Sequence, residues 1–563
     1  MKNTRVLALT IFALNLLLVS SSLTPPFWQI NPHDEAKYIE SGWRLLIFEI
    51  RDMAWGPLVA LVYAPLHLVF KGSLDWFILE AWGGRIILYS LMWWSTYYLG
   101  LRFKDIILPY ALLGVLFVSM PFIRAVVNQS DALFVCCSAI ALGKILDYHR
   151  SKRLKDVGIS SLFVGLAILC RAEAVLLLPI FIIALGLLTW KKVQPSYLPR
   201  VGLYALLPIF LILGIYVSLY WLSTNSLDLG FGYKSYDSFE WNQSVLTGGD
   251  LDLARQEARR LFGTPEENNY SVVRAILRNP PAFAQRIWAN LKTLPEKFFE
   301  LFDKRLGLLT LILAVAGAIT FLRNYPFSVL AVVLLWGLQP FVALGFLALH
   351  IVPQISYLIL ILTAAGVTSL VAGLAIERKI IIASLIGIGM VGLLGPRPVL
   401  LSVSLVSGGA LILGWLMAVQ HIGIQKAISW SFFIAALILR PPYQDLFLYP
   451  PIGTTSEEQA VHYIQQNFPP HSTIAVATPR LAIAARVNDV GLESFSHEVV
   501  SSAETLRVYL IKEKISAVVY TPAATPFPII FGTIEQNLDS RFKRVFYSDD
   551  LSVQIYVPIS QPE

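Results

Sequence analysis

The feature that most limits what this chain can become is the recurrence of apolar runs of roughly 17 residues or more. A helix rises about 1.5 Å per residue and a bilayer's hydrocarbon core is about 30 Å thick, so runs of this length are the natural unit for crossing it. They fall at 6–23, 84–100, 106–123, 132–148, 157–173, 174–190, 201–222, 306–322, 327–349, 355–375, 380–395, 399–419 and 427–440. With 56% hydrophobic and only 14% charged residues, a soluble chain of 563 residues would lack the polar surface to cover them. The fold class expected is therefore a polytopic α-helical membrane protein of about 13 transmembrane helices, followed by a soluble α/β domain.

Charges in the short loops set the orientation. Val6 to Leu23 follows Lys2 and Arg5 and is long for the apolar part of a signal peptide, so it reads as a retained first helix. With the N-terminus cytoplasmic, alternate loops hold Arg102 and Lys104; Arg150, Lys152, Arg153 and Lys155; Lys191, Lys192 and Arg200; Arg323; Arg378 and Lys379; and Lys426. The opposite short loops hold only Arg124, Arg171 and Arg397, which is the asymmetry of the positive-inside rule. The net charge of +7 is thus a loop property and gives no reason to expect nucleic acid. An odd number of spans leaves the C-terminal region outside the cytoplasm, and the location expected is the plasma (inner) membrane.

The membrane domain is read as 1–440, with long outer loops at 24–83 and 223–305. Leu58 to Phe70 is short for a span and bounded by Gly56-Pro57 and Lys71-Gly72, so an interfacial or re-entrant helix is expected. After Arg440-Pro441-Pro442 the pattern changes. Helix-like segments (Glu457–Phe468, Ala503–Glu513, Gly532–Leu538) alternate with β-rich runs (Thr473–Ala477, Ala517–Tyr520, Val553–Val557). Residues 441–563 then form an extracytoplasmic α/β domain, and the absence of a phosphate loop or nucleophile elbow marks it as accessory. Cys136, Cys137 and Cys170 all lie inside or at the end of apolar runs, so no disulfide framework is indicated.

Charged groups beside lipid are costly and tend to mark function. Four polar sites fall on the outer face: Asp34-Glu35-Ala36-Lys37-Tyr38; Arg124 with Asn128-Gln129-Ser130-Asp131; Arg171 with Glu173; and His350 with Gln354 and Tyr357. Group transfer from a phosphate to a hydroxyl needs a carboxylate to take the acceptor proton and positive charge or a metal for the leaving phosphate. Asp34 is expected as the base, with Glu35 as its catalytic neighbour. Lys37, Tyr38, Arg124, Arg171, Glu173, His350 and Tyr357 are expected at the substrate or its phosphate, arginine being suited to bidentate contact. Asp131, with Asp34 or Glu35, can hold a divalent metal. Glu173 reads equally as a partner for Arg171, and His350 equally as a polar anchor at a helix end.

These motifs resemble the C-type membrane glycosyltransferases, nearest the aminoarabinose lipid A transferases and the bacterial relatives of protein O-mannosyltransferases. The resemblance lies in Asp34-Glu35-Ala36-Lys37-Tyr38, Gly56-Pro57-Leu58, Asp131, the run from Gly165 to Pro179 with Arg171 and Glu173, and His350 with Ser356-Tyr357. Trp55 stands where some relatives carry a basic residue, and a late arginine is missing. The resemblance implies inverting transfer of a sugar from a polyprenyl-phosphate donor to a lipid, glycan or protein hydroxyl on the extracytoplasmic face. The rival expectation is a transporter or flippase using Asp34 and Asp131 as ion or proton sites. It calls for inverted repeats and broken spans at mid-membrane, and neither is visible in the sequence.

Overall fold

The computed structural model describes residues 2–23, 30, 34–73, 75–103, 108–117, 128–189, 197–229, 231–302, 304–341, 351–372, 454–492, 495, 497–521, 528–548 and 552–559. The expected spans at 380–395, 399–419 and 427–440, the proposed boundary at 440, and the site residues Arg124 and His350 lie outside these.

The described helical part begins with α1 (Lys2–Leu23), α2 (Asp34–Leu46), α3 (Ala60–Phe70), α4 (Trp76–Gly100) and α5 (Leu108–Phe117). It continues with α6 (Gln129–Ser151), α7 (Leu154–Cys170), α8 (Leu177–Thr189) and α9 (Leu198–Thr224). The second long loop contributes α10 (Phe231–Trp241), α11 (Leu251–Phe262), α12 (Val272–Arg278) and α13 (Pro280–Phe302), and α14 (Lys304–Asn324), α15 (Phe327–Leu338) and α16 (Ile351–Ala372) return to apolar sequence. Among the described residues, four stretches are long and apolar enough to cross a membrane: Gln129–Ser151, Ala172–Thr189, Leu198–Thr224 and Ile351–Ser369.

Helix α6 is the axis of the bundle. Its Ala- and Cys-rich surface is buried almost all round against α4, α7 and α16. Helix α9 is the opposite case. It packs on α7 but leaves Leu203, Leu207, Phe210, Leu211 and Ile215 exposed. An outward apolar belt of this size is stable only where lipid replaces water. Helices α14 and α16 cross through Gly317 and Gly366, where an added Cβ would overlap the carbonyl oxygens of Leu362 and Leu313. Small residues at such a crossing let two backbones touch, which is how helices gain contact where no hydrophobic effect separates them from lipid.

Leu58–Phe70 was expected to be short, and it is. A 3-10 turn (Pro57–Val59) runs into α3, giving about 21 Å of helix at 1.5 Å per residue, less than the apolar thickness of a bilayer.

The C-terminal domain is a five-stranded sheet ordered β2-β1-β3-β5-β4. Its strands are β1 (Thr473–Val476), β2 (Asn488–Gly491), β3 (Ile515–Tyr520), β4 (Phe542–Tyr547) and β5 (Gln554–Pro558). β1 pairs in parallel with β2 and β3, whereas β5 runs antiparallel to β3 and β4. The helices are α17 (Thr454–Asn467), α18 (Pro479–Ala484), α19 (His497–Val500), α20 (Ala503–Lys512) and α21 (Pro528–Arg541). One sheet face, with Ala475, Val518 and Tyr556, packs under Leu506, Leu510, Ile534 and Leu538 of α20 and α21. The other, with Ile474, Val476, Val519 and Ile555, is continuous with the core of the helical part, and α18 packs directly on α2. The domain expected to be accessory is therefore seated on α2.

Candidate active site

Three breaks in helical structure bring the outer polar sites together. Helix α2 starts at Asp34, so Asp34 and Glu35 occupy its first turn, where the helix dipole favours negative charge. Helix α6 starts at Gln129, which puts Asp131 in its own first turn. Helix α7 stops at Cys170. Arg171 is extended (φ −151°, ψ 134°), and a 3-10 segment (Ala172–Leu176) follows before α8. That extended residue turns the guanidinium back across the start of α6. Gly56 locks the same spot from the first loop. It is left-handed (φ 62°), and a Cβ there would overlap the Cys170 carbonyl oxygen.

The centre is the Asp131–Arg171 pair. Asp131 is fully buried, and its Oδ1 accepts from Arg171 Nη1 at 2.7 Å and from Gln354 Nε2 of α16 at 2.9 Å. Its Oδ2 accepts from Asn128 Nδ2 at 2.7 Å. Arg171 also donates to Ser130 Oγ at 3.3 Å. Tyr38, one turn beyond Asp34, lies beside Ser130 and senses the charges of Asp34, Arg171 and Asp131. Burial, reinforced by Asp34, pushes the Tyr38 phenol well above its usual 10, so it remains a proton donor. The Trp55 ring stands edge-on to Tyr38 with centroids 6.3 Å apart. Asp34 itself is half-buried. Four segments distant in sequence thus meet at one polar point at one end of the bundle.

Other expected residues have different partners. Glu35 is wholly buried, and its two oxygens accept from Arg85 Nε at 2.7 Å and Nη2 at 2.5 Å. This bidentate buried pair fixes α2 against α4, where the sequence reading expected Glu35 beside the base. Lys37 Nζ donates to Asp489 Oδ1 of β2 at 2.5 Å and lies 3.2 Å from Glu40 Oε2, so it is turned to the C-terminal domain. Glu40 also takes Arg44 at 2.5 Å and Arg51. Burial alone raises the Glu40 carboxyl, but Arg51, then Lys37 and Arg44, outweigh it and hold it below the ordinary range. Glu173 lies 3.4 Å from Arg171 on the more exposed side, which is the ion-pair alternative raised for it. Tyr357 departs furthest from expectation. Its hydroxyl is buried at 3.0 Å from Ser138 Oγ, which also accepts from Trp336 Nε1 at 2.8 Å, so it ties α16 and α15 to the middle of α6.

Sequence reasoning passed over Arg85, although an arginine within an apolar stretch is itself a signal that a buried acid is near. It also passed over Gln339, whose Nε2 donates to the Glu173 carbonyl at 3.3 Å. Two of the residues expected to hold metal are engaged by nitrogen donors. Asp131 spends both oxygens on N–H donors, one of them a cation, and Glu35 is on Arg85. Among the described residues no group of three or more Asp, Glu, His or Cys converges.

No protein-family model matches the sequence, and no curated protein matches it either. Solved structures do. The chain is similar to ArnT from Cupriavidus metallidurans bound to undecaprenyl phosphate, with a TM-score of 0.58 at 13% identity over 99% of both chains. It is also similar to the archaeal oligosaccharyltransferase AglB from Archaeoglobus fulgidus in complex with an inhibitory peptide and a dolichol-phosphate. There the TM-score is 0.51 at 14% identity, over 98% of this chain and 74% of that one. At these identities the likeness is one of fold, shared with ArnT and AglB. On this fold the match to ArnT runs the whole length of both chains, the sheet domain as well as the helices. What the fold leaves to the residues is the chemistry of the Asp34, Asp131 and Arg171 cluster.

Proposed function

We propose that this chain is a membrane glycosyltransferase that moves a sugar from a polyprenyl-phosphate donor to a hydroxyl acceptor on the extracytoplasmic face, with inversion. The observation that carries the reading is the meeting of Asp34, Tyr38 and Ser130 with the Asp131–Arg171 pair at the outer end of a bundle of this fold. Asp34 takes the proton of the acceptor hydroxyl. The acceptor oxygen forms its bond to the anomeric carbon as the bond from that carbon to the phosphate oxygen breaks. The electron pair leaves with the polyprenyl phosphate, whose growing charge Arg171 is oriented to meet. Asp131 and Gln354 fix the direction of that guanidinium, and Tyr38 offers a neutral donor beside it. The acids stand in the first turns of α2 and α6 rather than at mid-helix, which favours group transfer at a face over ion passage through the bundle. The sheet domain shares the outer side with this site, and the membrane location follows from the apolar helices. Polyprenyl carriers bound to the structural neighbours support the donor class; lipid, glycan and protein acceptors remain open to assay.

The test is Asp34→Asn in purified, lipid-reconstituted protein supplied with a polyprenyl-phosphate sugar. Transfer is expected to fall by about 10²–10⁴-fold, the usual share of a general base, with unfolding temperature unchanged. A folded Asp34→Asn protein with undiminished transfer would refute the base assignment.

A further inference from the structure

The C-terminal domain grips the first outer loop on both sides of the helix that carries Asp34. Upstream of α2, Arg480 Nη1 donates to the Ile30 carbonyl at 2.5 Å while its Nη2 is held by Glu457 at 2.6–2.7 Å, all of it buried. Downstream, Arg486 donates to the Lys71 carbonyl at 2.7 Å, and its guanidinium lies 5.0 Å from the centre of the Trp76 ring. Between them Lys37 of α2 pairs with Asp489, their side chains only 15% and 8% exposed. Asp489 sits in β2, the edge strand of the sheet, and β2 packs on α18, which lies against α2.

We propose that Asp489 is a positioning residue for the site: by holding Lys37 it sets the axial rotation of the first turn of α2, and so the placement of Asp34 and Tyr38. The inference rests on the transferase reading for its effect on rate. Residues 34, 37 and 38 share one turn and a half, so a rotation that lets Lys37 go carries the other two with it. The Glu35–Arg85 pair pins the opposite side of the turn to α4, and Glu40 pulls on Lys37 from within the helix. The lysine is thus an anchor of this turn whose partner belongs to the other domain. A displacement of about 1 Å at a reacting group can cost about 100-fold in rate without loss of binding. Asp489 touches neither Asp34 nor Arg171 among the contacts described, so its influence passes through Lys37.

The experiment uses the full chain in lipid nanodiscs with Asp489→Asn, Asp489→Ala and the exchanged pair Lys37→Asp with Asp489→Lys. Hydrogen exchange of segment 34–46 is read without any substrate, and kcat and KM are read with a polyprenyl-phosphate sugar. Expected are faster exchange of 34–46 in both single variants, a kcat lowered about tenfold to 100-fold with donor KM unchanged, and recovery of both readouts in the exchanged pair. Unchanged exchange at 34–46 in Asp489→Ala overturns the clamp whether or not the protein is a transferase. A donor KM that falls in Asp489→Ala overturns it in a different way, because Asp489 would then be competing with the phosphate for Lys37. Faster exchange in a protein with no transfer activity in any form leaves the clamp standing and removes the functional reading instead.

Discussion

Removing the Asp131 carboxylate probes the pair on which the site is built. Asp131→Ala would leave Arg171, 12% exposed, facing Ser130 and the more exposed Glu173 at 3.4 Å. Two unit charges about 4 Å apart interact by about 4 kcal/mol at the effective dielectric that suits protein sites, and deleting one member of a buried pair costs about 3–5 kcal/mol. If that loss falls on transition-state stabilisation, it corresponds to a rate lower by about 10²- to 10⁴-fold. Asp131→Asn keeps an oxygen for Arg171 and Gln354 but turns an NH2 toward Asn128 Nδ2, which already donates there at 2.7 Å. Its cost is a hydrogen bond with a charged partner, about 1.5–3 kcal/mol, so the two variants should be graded. The assay is a double-mutant cycle of Asp131→Asn and Arg171→Leu, read by initial rate in reconstituted protein and by thermal unfolding in detergent. A coupling of about 1.5–3 kcal/mol is expected for groups in direct contact. A coupling below about 0.5 kcal/mol, the additivity of distant sites, would mean that Arg171 is not oriented by Asp131, and the reasoning about the leaving phosphate would fall with it.

Arg85→Met alone should destabilise the protein by about 3–5 kcal/mol in detergent melts, because it strands a buried Glu35, whereas Arg85→Met with Glu35→Gln should regain most of that loss and retain transfer. A folded double variant without activity would return Glu35 to the chemistry. Gly56→Ala should lower the melting temperature and the rate together, since a left-handed alanine costs about 1–3 kcal/mol and its Cβ meets the Cys170 carbonyl; a silent substitution would show that the first loop is not wedged against Arg171. Arg124→Ala should raise the KM for the polyprenyl-phosphate donor more than it lowers kcat, measured by initial rates over a range of donor concentrations.

What was legible in the sequence was whatever lipid makes expensive. Apolar runs mark the helices, and the charges of 34–38, 128–131 and 171–173 stand out beside them. Gln354 was visible for the same reason, and the structure sets it on Asp131. Side-chain partners are a tertiary matter and were not legible. Glu35 and Asp34 are adjacent in sequence, yet one helical step of about 100° sends the first to Arg85 and keeps the second beside Tyr38. Tyr357 follows Gln354 by three residues and was grouped with it, but it faces Ser138 inside the bundle. In the C-terminal domain three strands were readable from their β-branched runs. Strand β2 (Asn488–Gly491) is four residues of mostly polar sequence and β4 begins where a helix ends, so neither carried a pattern of its own. The partner of Lys37 lies 452 residues away, beyond any local rule.

The charges gathered at the site bear on the Arg124 prediction. Asp34, Asp131 and Glu173 contribute three negative charges and Arg171 one positive, a formal balance of −2 among the described groups around Tyr38. In the proposed reaction the departing polyprenyl phosphate is itself an anion, and Arg171 is already shared between two carboxylates, so that reaction calls for further positive charge there. Lys37 does not make up the difference while it is engaged by Asp489 and Glu40. The arginine remaining in the outer polar sites of the sequence is Arg124, seven residues before Asp131 and so on the segment that leads into α6. If Arg124 supplies that charge, its loss weakens donor binding first and chemistry second, which is the KM-dominated effect expected. An unchanged KM in Arg124→Ala would require the balance to be restored from solution. Dependence of the rate on added divalent cation in the wild-type protein would then decide whether a metal takes that place.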